Sequence, residues 1–305
     1  MSTVEIEGVS RAVNRLVEDF AAVELHFTWW GTNKTLTDRQ KQEVAAQFGT
    51  TEESINATKK LVDDHPKYRA LTSIRNQVKQ YWKSMSLPFP EKATRMIRIQ
   101  DVPEFEVVME SYATQLQYAV DELDNSLEEF IDEQRKRLVD LFDRNNYPST
   151  FQGMFGFDWQ YPNCQPPEYL RMVSPGTYEM EHARMQLRFQ EAVELAEAAF
   201  LEQFKNLVDH MIDKMTPNPD GTKKQFREPT VANFKDFFER FQMLNVGSSD
   251  ELDQLVSQAQ QLLEGVAYED LRDSRSLRQD VLDGIERISD GIGGLIIDAP
   301  RRTIG

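Results

Sequence analysis

Cysteine occurs once in 305 residues, as Cys164. An internal disulfide is therefore excluded, and a reducing compartment is the simplest setting. No stretch approaches the roughly 18 consecutive apolar residues that a membrane-crossing helix needs. Residues 291–297, GIGGLII, are apolar but far too short. The first residues, MSTVEIEGVSRAV, lack the basic stretch and apolar core of a secretory signal. A cytoplasmic protein with no membrane partner is expected. The loop Gly-x4-Gly-Lys-Ser/Thr that cradles phosphates is absent, and so is a Gly-x-Ser-x-Gly nucleophile elbow.

Charge is plentiful but lopsided. The net charge is −16 and the pI about 4.8, so the chain as a whole is repelled by nucleic acid and anionic membrane. Residues 1–100 carry 15 Lys and Arg against 12 Asp and Glu, whereas residues 101–305 carry 20 against 39. A mildly basic head precedes an acidic remainder.

Helical periodicity dominates. Residues 102–145 place Phe105, Met109, Tyr112, Leu116, Ala119, Leu123, Leu127, Phe130 or Ile131, Leu138 and Leu141 at steps of three and four. This predicts one uninterrupted helix with a buried seam. Residues 177–215 repeat the pattern through Met185, Phe189, Ala192, Ala196, Ala199, Leu207 and Met211. Two such rods joined by about 30 residues are expected to fold back as an antiparallel hairpin. Val107, Val108, Tyr118, Val120 and Leu195 stay outside the seams and call for a further covering surface, either the C-terminal helices or a second subunit.

The head mixes periods. A helix is expected over 9–22, and Val23, Leu25, Phe27 and Trp29 then alternate as a strand does. A second extended piece at 94–100 is placed to pair with it. Thr37-x-x-Gln40 and Thr50-x-x-Glu53 read as capping boxes opening helices to Phe48 and Asp63, and Pro66 opens a third helix to Met85. The stretch 146–176 holds five prolines among Phe151, Phe155, Phe157, Trp159 and Tyr161. Proline excludes helix here, so an ordered aromatic knob at the rod's tip is expected. A sharp stop is expected at 217–221. After it, Phe234, Phe237, Phe238 and Phe241 form one helical face, Ser248-x-x-Glu251 caps the next helix, and a last helix runs over 270–290. Gly284, Gly291, Gly293 and Gly294 weaken its end.

Candidate chemistry is thin. Glu179-x-x-His182 has the spacing of half a carboxylate-bridged di-metal site, but no second Glu-x-x-His exists. Cys164 lies in a proline-rich loop with no adjacent activator. No metal, cofactor or enzymatic activity is expected. Two binding surfaces remain. The knob aromatics Phe151, Phe155, Phe157, Trp159 and Tyr161 offer a protein-docking tip. Alternatively, the basic stretch from Lys59 to Arg98 aligns Arg75, Lys79 and Lys83 on one helix face, with Lys67, Tyr81 and Trp82 nearby. A basic stripe with stacking rings is what single-stranded nucleic acid requires. The competing reading is that these charges pair within the chain and the rings are core.

The Trp29-Trp30-Gly31 turn, the Lys59-Lys60-Leu61 segment, the Leu87-Pro88-Phe89-Pro90 stop and the Phe142…Asn146-Tyr147-Pro148 exit resemble a group of bacterial and phage proteins. That group is known only as a domain of unknown function. The resemblance spans most of residues 20–245 and implies a prokaryotic or phage setting and a helical fold. The expected architecture is mainly α. It comprises a small α/β head over 1–101, a helical hairpin over 102–216 with its tip at 146–176, and a helical section over 217–305. The expected role is a non-enzymatic interaction or assembly protein that self-associates.

Overall fold

In a computed structural model, residues 3–218, 224, 227–247 and 249–298 are described. The turn expected at 219–221 and the cap expected at Ser248 lie outside them. In chain order the helices and strands are α1 (Thr3–Asp19), β1 (Phe20–Trp29), β2 (Asn33–Thr35), α2 (Asp38–Phe48), β3 (Thr58–Lys60), α3 (Pro66–Ser84), β4 (Ser86–Pro88) and β5 (Thr94–Arg98). There follow α4 (Val102–Asp124), α5 (Leu127–Leu138), β6 (Phe155–Gln160), α6 (Glu168–Val173), α7 (Pro175–Met215), α8 (Pro229–Leu244), α9 (Asp250–Leu263), α10 (Tyr268–Asp273) and α11 (Arg275–Asp298). The fold is mainly α, with short strands. The contacts divide the chain into two units. They are interleaved along the sequence rather than being three consecutive segments.

The first unit comprises Met1–Val23, Lys83–Asp101 and Tyr161–Gly305. Its axis is α7, unbroken over 41 residues. Phe189, Val193, Ala196, Phe200, Phe204, Val208 and Met211 line its buried face at three-four spacing. Helices α1, α8 and α11 pack along α7, and α9 lies on α11. The phenylalanine face of α8 enters the same core, and the Phe237 ring stacks on Phe204 at 5.3 Å. The hairpin β4–β5, in register Leu87↔Met96, adds Leu87, Phe89 and Met96. Strand β5 neighbours β1, whose first residues belong to this unit, so the expected pairing of the two extended pieces is present. Ser249, one residue past the expected cap, accepts from the Leu252 amide at 3.2 Å and opens α9. The glycines of α11 do not fray it. A Cβ on Gly284 would come within 2.6 Å of a Leu262 methyl, and one on Gly291 within 2.7 Å of a Leu255 methyl. Both glycines admit side chains of α9 to the backbone of α11.

The second unit comprises Glu24–Trp82 and Val102–Gln160. All four tryptophans belong to it. Here β1 pairs antiparallel with β6, from Glu24↔Gln160 to Trp29↔Phe155. Thr37 forms the expected capping box with Gln40, and Gly49 closes α2 at φ +65°. The helix expected over 51–63 is absent. Thr51 makes no side-chain cap, residues 52–54 form a single 3-10 turn, and 58–60 pair with β2 instead. Long-range pairing overrides the local signal there.

The uninterrupted rod over 102–145 is also corrected. It breaks at Asn125-Ser126 into α4 and α5, and α5 gives way to a 3-10 turn at Val139–Leu141. Lys67 donates from Nζ to the Glu122 carbonyl and to Ser126 Oγ, both at 2.9 Å, and so serves the carbonyl end of α4. The Asp124 carboxylate turns aside to accept from Thr150 Oγ1 and the Phe151 amide. Leu116, Val120 and Leu123 of α4 are covered by Leu61, Leu71, Phe130, Phe151 and Phe155 of the same unit. The antiparallel hairpin required each long seam to hide the other. Each is buried within its own unit instead.

His65 supplies an acid-sensitive point in this core. Its ring meets Phe130 edge-on at 4.9 Å, its Nε2 lies 3.4 Å from Glu133, and its Nδ1 is buried with no hydrogen-bond partner. Burial lowers its pKa below the ordinary value of 6.5, and Lys67 adds to this, while Glu133 and Glu129 oppose it. The unfolded chain therefore takes up the proton first as pH falls. Stability is full above about pH 6.5 and declines below it until the folded-state pKa is passed. We expect His65→Gln to flatten this decline. Thermal melts followed by tryptophan fluorescence between about pH 8 and pH 5 check it. Equal acid slopes in the two proteins would sink the assignment.

Candidate functional site

In the first unit, residues 161–188 run along the outside of the core and touch it through the partly buried Cys164 and Met185 before Phe189 enters it. No residue from 168 to 188 is buried. Proline sets the local geometry. Pro167 precedes the first turn of α6, and Pro175 occupies the first turn of α7, where its missing amide hydrogen costs nothing. Ser174 ends α6 by donating its amide to the Leu170 carbonyl at 2.8 Å, and its own carbonyl starts α7 by accepting from the Tyr178 amide at 3.1 Å. The expectation that prolines exclude helix from 146–176 is thus corrected, because they bracket a six-residue helix instead of interrupting it.

Helix α6 packs on α7, yet large apolar side chains of both face outward. Met172 is 83% exposed, Val173 78%, Leu187 64%, Tyr169 60% and Met180 56%. Single exposed apolar residues are ordinary, but five this exposed on two short stretches make this the candidate site. Beside it is a cleft of about 260 Å³, where Val13 and Val17 of α1 face Tyr178, His182 and Met185 of α7. The Tyr178 and His182 rings stack at 6.2 Å. Arg171 and Glu179 line an adjoining hollow of about 400 Å³. Among the described residues, no group of three or more His, Cys, Asp or Glu side chains is placed to hold a metal. None of the described helices is long and apolar enough to cross a membrane.

The aromatic tip has a different fate. Phe151 and Phe155 are core residues of the second unit, 0% and 5% exposed, and do not face a partner. Phe157 and Trp159 are half-buried on β6, opposite Phe27 and Leu25 of β1. Trp159 Nε1 donates to Glu106 at 2.6 Å. Tyr161 belongs to the first unit and is 39% exposed. These five residues form no projecting knob, since strand pairing and the Asp124 bonds draw 150–160 into the fold.

The basic stretch is largely engaged within the chain. Lys67 serves the end of α4. The Arg75 guanidinium lies 4.7 Å from the Trp29 ring centre, and Lys79 lies 5.2 Å from that of Phe27. Tyr81 stacks on Phe105 at 5.6 Å, and Trp82 is half-buried. Lys59 is buried and donates to the Leu141 carbonyl at 2.6 Å. Lys83, in the last turn of α3, is exposed.

Sequence reading missed Tyr169, Met172, Val173, Met180 and Leu187. The available signal was Met180 and Leu187, seven residues apart and off the seam through Met185 and Phe189. No family model, curated protein or solved structure matches this chain. The outward-facing surface of α6 and α7 therefore stands on its own geometry.

Proposed function

We propose that the chain is a non-enzymatic assembly protein of the bacterial or phage cytoplasm, self-associating through α6 and the first half of α7. One observation carries this reading. None of the 21 successive residues 168–188 is fully buried, and five large apolar side chains among them are exposed. An isolated chain gains nothing from such a surface, whereas a second copy removes it from water at about 25 cal/mol per Å² of apolar area. The setting rests on the resemblance of the Trp29-Trp30-Gly31 turn and the segments quoted with it. Single-strand binding through Lys67, Arg75 and Lys79 is less well supported, because those cations already hold carbonyl or aromatic partners.

Light scattering coupled to size exclusion tests the reading. The native chain is expected to run as a dimer or larger. Serine at Met172, Val173, Met180 and Leu187 together is expected to yield a monomer with an unchanged far-ultraviolet spectrum. A native chain that stays monomeric at the highest attainable concentration would overturn it.

A further inference from the structure

On this assembly reading, α7 itself indicates how two copies meet. Met180, Arg184, Leu187, Glu191 and Leu195 follow one another at steps of four, three, four and four, so they share one helix face. All five are exposed. Their order is apolar, basic, apolar, acidic, apolar. It reads as its own complement about a point between Leu187 and Arg188.

A contact made by a two-fold axis requires that residue i of one copy meet residue j of the other, and j meet i. If α7 is laid antiparallel on its copy with the axis at that point, Met180 faces Leu195 and Arg184 faces Glu191. The two Leu187 side chains then lie side by side at the centre, offset by about 1.5 Å along the axis. The two Arg–Glu pairs lie about 10 Å apart along the axis, at 1.5 Å per residue. A different partner would place no such demand for inverse symmetry on a single helix face.

The two cross-pairs also answer the net charge of −16, which otherwise holds copies apart. In the single copy Arg184 pairs with Glu181 one turn away, an exposed contact that is readily exchanged. We infer that this protein forms a two-fold dimer through antiparallel pairing of α7 over residues 180–195, with Arg184 of each copy on Glu191 of the other.

The test combines charge reversal with cross-linking. Arg184→Glu alone and Glu191→Arg alone are each expected to weaken dimerisation roughly tenfold, as two exposed pairs become like-charge contacts. The double reversal is expected to restore it. With Cys164→Ser removing the only native thiol, Leu187→Cys is expected to give a covalent dimer on mild oxidation. Tyr118→Cys, exposed in the second unit, is expected not to. A dimer that neither cross-links at 187 nor recovers in the double reversal overturns this pairing and leaves the assembly reading standing. A monomeric native chain overturns both.

Discussion

Arg240→Ala is expected to lower the stability of the first unit by about 3 kcal/mol, read as a lower midpoint in chemical denaturation. The guanidinium of Arg240 donates to the Gln203 side chain at 2.9 Å and to the carbonyls of Ser84, Lys83 and Ser86 at 3.1, 3.3 and 3.4 Å. It lies 5.0 Å from the centre of the Phe200 ring. One side chain of α8 thus ties the entry of β4 to the core helix. Burial lowers its pKa, so the charge is held at a desolvation cost that the four acceptors offset. Arg95, which donates to Ser86 at 2.7 and 2.8 Å, is pushed down to about 10 by burial and then by the charge of Arg240. Removing Arg240 relieves that repulsion, which trims the loss without cancelling it. Arg240→Met keeps the aliphatic stem on Phe200 and should cost less than alanine. An unchanged midpoint for the alanine variant would mean that this clamp carries no weight.

The second large effect is expected at Gly284. A Cβ there meets Leu262 at 2.6 Å. Gly284→Leu forces a whole side chain into that space and should cost about 3 kcal/mol. Gly284→Ala should cost much less, since the methyl groups of Leu262 can shift and alanine gains about 1 kcal/mol of helix propensity. Leu262→Ala in the Gly284→Leu background should recover part of the loss, because the added side chain then fills the vacated volume. Strict additivity of the two changes would show that they do not touch.

These two sites also mark where the sequence was hard to read. Repeating apolar steps located α7 and the phenylalanine face of α8 because their burial is periodic and local. Thr37 with Gln40, and the alternation from Val23 to Trp29, were legible for the same reason. The break at Asn125-Ser126 was not. Its neighbours keep helical spacing on both sides, and the group that serves it, Lys67, lies nearly sixty residues upstream. By local propensity Gly284 and Gly291 are weak helix formers. Their value appears only when Leu262 and Leu255 of α9 are set beside them. Nothing local to the aromatics at 151–159 announces that β6 will pair with β1. Met180 and Leu187 lie off the buried seam of α7, so periodic burial does not point to them.

The path of the chain has an effect on synthesis. Residues 24–82 and 102–160 complete the second unit, so everything it needs has been made once residue 160 leaves the ribosome. The first unit must hold its opening helix and the 83–101 hairpin in reserve until α7, α8 and α11 arrive over the final 145 residues. Its phenylalanines therefore stay uncovered longest, and a gene cut anywhere between residues 161 and 292 leaves that half without part of its interior.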